Sequence, residues 1–518
     1  MATHALRRSG LPRAEALAST PAGTVALLVV LLGASLVLRT RALDAGFWID
    51  EGLTVGISSY PIAEIPGVLR QDGSPPLYYF LLHLWMDAFG TSEAATHALS
   101  VMFALLAIPA ALWAGWSLFG RRAGWIAAVL TALNPFLTIY AQETRMYSLV
   151  ILLGLLGTAT FVHAFVFRRR RYVAAFAVVL AAMLYTHNWA LFFVVGALAA
   201  LTVCYRESRE RTLLGDAALA FGAAGLAFLP WLPTLLFQAR HTGAPWSNPP
   251  SPVELVGGIG VVLSGEGALV ALFLAGGLGL LEVVRRRGGP DRTALFAMVA
   301  IGAGTLLSGW LYSQFSPAWA NRYLGVLVGP LILLAAFGLP RAGRFGLVAL
   351  VLVVLFWASY FAPDEKSNVN AIGKTFSVSV GAGDLVISTQ PEQVPVLEYY
   401  LPPGLSYATP LGRVVDPTVM DWRDALSRLQ DSSVARNLEP ILAALPVGAD
   451  VMLVVPVVRD RDAWTSPWTS LVLRRSEEWS LALAGDERFT RTQVFQPAYT
   501  EPVPRALRID LYTKTRSE

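Results

Sequence analysis

Residues 146–167, MYSLVILLGLLGTATFVHAFVF, contain no Asp, Glu, Lys or Arg, and neither does the run before them, 123–142, AGWIAAVLTALNPFLTIYAQ. A helix needs roughly 20 apolar residues to cross the hydrocarbon core of a bilayer, whereas a spanning strand needs about 10 and alternates in polarity. These runs do not alternate, so each reads as a spanning helix. Six more charge-free runs have comparable lengths: 16–38, 94–120, 217–239, 293–321, 323–340 and 345–363. The whole chain of 518 residues is 55% hydrophobic and 15% charged, well below the roughly 25% charge of soluble domains. Residues 1–361 are therefore expected to form an α-helical multi-span membrane domain, and residues 362–518, of mixed polarity, a separate soluble domain.

A net charge of +4 does not mark a nucleic-acid binder here, because many basic residues sit in short clusters between apolar runs. Arg121 and Arg122, Arg168 to Arg171, Arg206 and Arg209, Arg285 to Arg287, and Arg341 with Arg344 suit cytoplasmic loops under the positive-inside rule. Arg7, Arg8 and Arg13 precede the first run, which reads as a retained span with its N-terminus inside. With Arg168–Arg171 as cytoplasmic, the charge-free 172–205 becomes two helices joined at Thr186-His187-Asn188. Alternation then carries residues 362–518 to the outer face of a plasma membrane. The first half alternates less cleanly: 73–86 is short, and strict counting turns Arg121 and Arg122 outward. A re-entrant or broken helix within 73–142 resolves this, since irregular backbone is tolerated at membrane depth where it lines a polar cavity. About 11–13 spans reconcile the two ends. A single cysteine, Cys204, excludes an intrachain disulfide.

Ionisable side chains near an apolar layer are costly unless paired or wetted, which makes them functional candidates. Phe47-Trp48-Ile49-Asp50-Glu51-Gly52 sets two adjacent carboxylates at the foot of the first span. On a helix they would point about 100° apart. One could then take a proton from an attacking hydroxyl while the other positions the acceptor or holds a cation; equally, both could be solvated loop residues. Residues 40–76 read as the first outer loop, with 59–70 as a short interfacial helix on Ile62, Ile65 and Leu69. Arg70 and Asp72 of this loop are candidate substrate ligands. The polar cluster from Tyr140 to Tyr147 offers Gln142, Arg145 and Tyr147, with Glu143 and Arg145 alternatively a charged cap.

His187, at its tight turn, can donate to a phosphate in either protonation state, and an anion would favour its charged form; otherwise it is a polar turn residue. Arg322 opens an apolar run on the expected outer side, and its guanidinium suits bidentate capture of a phosphate. Tyr323 beside it could add a hydroxyl or pack against an isoprenoid chain. The alternative for Arg322 is a snorkelling interface arginine. The histidines are scattered without a His-x-x-x-His arrangement, and no Walker or dinucleotide fingerprint occurs. A divalent cation, if one is used, would fall to Asp50 or Glu51; no other cofactor is called for.

Together, the first span with Asp50-Glu51, the Gly73-Ser74-Pro75-Pro76-Leu77-Tyr78-Tyr79 entry, the Gln142-to-Tyr147 cluster and Trp319-Ala320-Asn321-Arg322-Tyr323 resemble the GT-C glycosyltransferase superfamily. The likeness covers roughly 16–361 and is nearest to bacterial members of the family that includes protein O-mannosyltransferases and lipid A aminoarabinose transferases. It implies a GT-C fold and transfer of a sugar from a polyprenyl-phosphate-linked donor, on the outer face, to a glycan, lipid or protein hydroxyl. Asp50 matches the family's first-loop acid and Glu51 the second acid of the mannosyltransferase Asp-Glu pair. The Arg322-Tyr323 segment matches a region used near the donor phosphate. His187 stands where the family commonly has a basic residue, and Glu64 or Asp72 matches its deeper acid loosely. Direct displacement would invert the anomeric configuration. The competing reading is a transporter or flippase of lipid-linked sugars, which would use the same cavity without a general base.

In residues 362–518, Asp384–Thr389 and Val451–Val455 read as buried strands, 394–400 as a helix with Tyr399 and Tyr400, and Asp421–Leu426 as a helix start. That alternation predicts a small α/β layer. Acceptor recognition or a structural lid is its expected role.

Overall fold

The computed structural model describes residues 20–358, 360, 365–460, 462, 464–497 and 505–517. The expected boundary at 361/362, and Arg7, Arg8 and Arg13, lie outside the described residues. Among the described residues, eight helices are long and apolar enough to cross a membrane: Pro21–Arg39, Glu93–Phe119, Tyr147–Val166, Ala190–Ser208, Arg211–Phe228, Glu266–Arg285, Pro290–Phe315 and Asn321–Ala342. The chain is a multi-pass membrane protein. Tyr147–Phe161 is the hub, with every residue but Leu156 buried, as its all-round apolar sequence requires. Pro21–Arg39 lies at the rim and leaves Val25, Val29, Val30 and Val37 exposed, a lipid-facing pattern.

A ninth span is broken, as expected within 73–142. Arg121–Leu133 and Pro135–Ala141 meet at 51°. Pro135 lacks an N–H and disfavours helix at the residue before it. Asn134 is accordingly extended, and its Oδ1 caps the second piece by accepting from the Leu137 N–H at 2.8 Å. The break delivers Gln142–Tyr147 to the end of the bundle where residues 40–76 lie. Leu77–Phe89 has only 13 residues. Three shorter apolar helices, Arg171–Thr186, Pro252–Val262 and Arg344–Ala358, accompany the spans, and 11 or more is reached only by counting from among these. Small residues let the long helices touch: a Cβ on Gly304 would lie 2.7 Å from the Gly196 Cα of the neighbouring helix.

Residues 40–76 carry two short helices, Ile49–Ser58 and Ile65–Asp72; of the interfacial helix expected over 59–70, only the part from Ile65 onward forms. The 172–205 stretch is two helices, Arg171–Thr186 and Ala190–Ser208, turning at His187–Trp189.

The C-terminal residues form a six-stranded mixed sheet with helices, the predicted α/β layer. Its strands are β1 Leu385–Ser388, β2 Ser406–Thr409, β3 Gly412–Val414, β4 Asp450–Pro456, β5 Phe489–Phe495 and β6 Leu507–Lys514, in the order β3-β2-β1-β4-β6-β5. The central β1–β4 pair is parallel, with Val386 opposite Met452. β6 runs antiparallel to both β4 and β5. Helix Val394–Tyr400 forms as predicted; the Asp421 helix starts four residues late, at Ala425.

This module sits directly on the bundle end. Helix Ile49–Ser58 presents Gly52 and Gly56, one turn apart, to it: a Cβ at Gly52 would lie 2.6 Å from the Val396 Cα, and one at Gly56 would overlap the Thr418 carbonyl. Tyr400 Oη accepts from the Phe47 N–H (2.7 Å) and donates to Glu93 (2.7 Å), and Trp422 N–H donates to the Gln71 carbonyl (2.9 Å).

Candidate active site

Asp50 lies in the first turn of the Ile49–Ser58 helix, where a carboxylate complements the helix dipole. Its Oδ2 stands 3.5 Å from an Arg322 terminal nitrogen and 4.0 Å from Arg145 Nε. Both separations exceed hydrogen-bond length, so the carboxylate is flanked rather than locked. Arg145 is aimed by its terminal nitrogen donating to Thr54 Oγ1 at 2.6 Å. The Nε atoms of Arg145 and Arg322 and the hydroxyl of Tyr147 are buried with no hydrogen-bond partner among the described residues. Native proteins rarely leave buried donors unmade. An acceptor-rich group seated beside Asp50 would satisfy all three.

Glu51, one residue on, points elsewhere. It is fully buried. Its Oε1 lies 2.7 Å from His97 Nε2, accepts from the Thr144 N–H (2.8 Å) and accepts from Lys366 Nζ (2.7 Å); its Oε2 also accepts from Lys366 (2.8 Å). His97 Nδ1 donates to the Leu43 carbonyl at 2.7 Å, so its Nε2 can donate to Glu51 only as imidazolium and otherwise accepts from Lys366 at 3.1 Å. Lys366 spends a further proton on the Gln142 carbonyl (2.6 Å). Burial alone would raise the Glu51 carboxyl; the Lys366 ammonium and then His97, by charge and hydrogen bond, bring it down to about 2.

Two further carboxyls border the cluster. Glu143 is buried, with Oε2 unpartnered among the described residues. Burial, then the Glu51 charge, push its carboxyl up to about 7 against the pull of Lys366, Arg505 and Arg322. Burial likewise raises Asp72, against the opposing Arg145 charge, and Asp72 accepts from the Tyr79 hydroxyl at 3.4 Å.

His187 closes one side, its ring 4.8 Å from that of Tyr323 and 6.1 Å from that of Tyr147. The expected charged form is not what its surroundings favour: burial first, then Arg145 and Arg322, push it down to about 3. Its Nδ1 accepts from the Trp189 N–H (3.1 Å), which leaves Nε2–H as the donor. On the other side is Trp48, with the Arg322 guanidinium 5.6 Å and the Arg505 guanidinium 3.6 Å from its ring centre.

Of the candidates read from sequence, Asp50, Arg145, Tyr147, His187, Arg322 and Tyr323 converge at one end of the bundle, with Asp72 adjoining through Tyr79. Gln142 is nearby but occupied, its Oε1 accepting from the Ala42 N–H (2.9 Å) and its Nε2 donating to the Thr138 carbonyl (3.1 Å). Arg70 is a correction: it is exposed and its guanidinium lies over the Phe237 ring at 4.0 Å, outside the cluster. A cation on Asp50 would meet two guanidiniums, and Glu51 has no oxygen free, so this donor set does not suit a divalent ion. Among the described residues no group of three or more His, Cys, Asp or Glu is arranged to hold a metal ion.

Sequence reading missed Lys366, Arg505 and the use of His97. A signal existed for Lys366, one of only three lysines in an arginine-rich chain. Both it and Lys514 are placed where a compact three-donor ammonium meets converging oxygens, Lys514 on the Leu442, Ala443 and Leu445 carbonyls.

No family model and no curated protein sequence matches the chain. Solved structures do. ArnT from Cupriavidus metallidurans in the apo state superposes with a TM-score of 0.62 at 13% identity, over 94% of this chain and 98% of that one. The same protein bound to undecaprenyl phosphate gives 0.60 at 14% identity, over 95% and 98%. This is the GT-C fold. The match spans the helical bundle and the C-terminal sheet module alike, since it covers nearly all of both chains. An Archaeoglobus fulgidus oligosaccharyltransferase complex with Zn and sulfate shows a weaker likeness, with a TM-score of 0.47 at 13% identity over 82% of this chain and 67% of that one.

Proposed function

We propose that this GT-C protein is a membrane glycosyltransferase that moves a sugar, with inversion, from a polyprenyl-phosphate donor to an acceptor hydroxyl at the outer membrane face. One observation carries the reading: Arg145 and Arg322 close on Asp50 with both Nε donors buried and, among the described residues, without a hydrogen-bond acceptor. A phosphate seated between them would take up those donors, and such charge-assisted contacts are the strong ones. The undecaprenyl phosphate held by the ArnT structure of the same fold supports a donor of this class.

In this mechanism the acceptor oxygen attacks the anomeric carbon while Asp50 takes its proton. The bond from the anomeric carbon to the phosphate oxygen breaks, and its electron pair stays with the phosphate, which Arg322 and Arg145 stabilise. His187, neutral, contributes a hydrogen bond rather than charge. The Tyr147–Tyr323 wall offers apolar surface to sugar or isoprenoid. Glu51, with both oxygens engaged, serves as the anchor that orients the Asp50 helix.

The test uses purified full-length protein with an isotopically labelled polyprenyl-phospho-sugar pool and envelope acceptors. Asp50→Asn should lower transfer by about 10²-fold or more while donor binding persists. Lipid movement across vesicles without transfer by the wild type, unchanged in Asp50→Asn, would instead show a transporter.

A further inference from the structure

The module's Arg505 reaches the bundle's site, against Trp48. Its guanidinium stacks on Trp48 at 3.6 Å, the indole that Arg322 also faces. It makes no hydrogen bond or ion pair among the described residues, while its strongest electrostatic neighbours are Glu143, Asp50, Arg322 and Glu51. The chain just after it is tied to the segment that carries Lys366. Asn368 donates to the Leu507 carbonyl and accepts from the Leu507 N–H, each at 2.8 Å, and Lys366, two residues before Asn368, is bound to Glu51.

Charge matching says what such an arginine is for. A polyprenyl-phospho-sugar is a phosphodiester with one negative charge. Arg145 and Arg322 exceed Asp50 by one positive charge, which balances it; Glu51 and Lys366 balance each other. When the glycosidic bond breaks, the electron pair left on the phosphate oxygen makes a monoester with close to two negative charges at neutral pH. While Asp50 holds the acceptor's proton the two arginines balance that charge; once Asp50 gives the proton up to solvent, Arg145, Arg322 and Asp50 together again offset only one of the monoester's two charges. We propose that Arg505, supplied by the C-terminal module, binds the leaving phosphate and neutralises the charge it gains on departure. The inference rests on the glycosyl-transfer reading above. It gives the module a part in the chemistry, since an interaction stronger in the transition state than in the bound donor raises turnover. Glu143, with its carboxyl raised by burial to about 7, competes for this arginine increasingly as pH rises through neutrality.

The experiment compares two probes on the full-length protein in detergent: undecaprenyl phosphate, a monoester, and its methyl ester, a diester. Arg505→Gln should weaken monoester binding by about tenfold or more and diester binding by less than about twofold. In turnover, kcat should fall while the donor KM holds. Arg322→Gln should weaken both probes. An unchanged melting temperature without ligand shows that the fold is kept. Should Arg505→Gln not fold, Arg505→Lys, which keeps the charge but loses the planar fork, should lose about threefold of the monoester preference. Equal loss of both probes, or of neither, in the Arg505 variants overturns the proposal while Arg322→Gln still upholds the donor site. Failure of the wild type to bind the diester removes the glycosyl-transfer reading itself.

Discussion

Glu143 is the group in the site whose charge changes near neutral pH, because burial and the Glu51 carboxylate bring it to about 7 while His187 is held near 3. Protonated, it leaves Arg322 and Arg505 to face an incoming phosphate; ionised, it competes with that phosphate. Affinity for the diester probe, which does not titrate in this range, should therefore be highest below pH 7. It should fall on the order of tenfold as pH rises through 7. Glu143→Gln should flatten the profile, and a step that survives this variant would assign the titration elsewhere. Lys366→Met leaves the Glu51 carboxylate buried without its main counter-charge and should cost about 3–5 kcal/mol in unfolding free energy. Denaturation in detergent reads this directly, and a loss under 1 kcal/mol would show that Glu51 finds another partner. Asp50 and Arg322 were legible in the sequence because each is a charge where a membrane edge discourages one. Lys366 was not, because it meets Glu51 across 315 residues of chain and no local pattern encodes that meeting.

At the scale of elements, the Ile49–Ser58 helix is the bearing between bundle and module. Gly52 and Gly56 make one of its faces flat enough for Val396 and Thr418 to touch backbone. Gly56→Ala drives a methyl into the Thr418 carbonyl, a shift costing about 1–3 kcal/mol, and should lower transfer more than it lowers donor binding because it tilts Asp50. Parallel assays of the two quantities check this; equal effects would mean that the helix moves as a whole. The long helices were readable because apolar length is a bilayer's own requirement, and Asn134-Pro135 announced the break. The late start of the helix expected over 59–70 was less readable: Ile65 and Leu69 are buried while Ile62 is exposed, so apolar spacing gave no guide to where the element begins.

For the whole molecule, the spans position the Asp50–Arg322 site at one end of the bundle, and the sheet module lies over that end with Lys366 and Arg505 reaching into it. The α/β character of the module was written in its buried strands; its contribution to the site was not, because single basic residues there look like ordinary surface. The central claim is that Arg322 and Arg145, beside Asp50, hold the phosphate of a polyprenyl lipid. Mass spectrometry of lipids co-purifying with the full-length protein tests it most directly. A polyprenyl phosphate, free or carrying a sugar, should accompany the wild type and be depleted about tenfold or more in Arg322→Gln. Its absence from the wild type, or equal amounts in both proteins, would contradict the account.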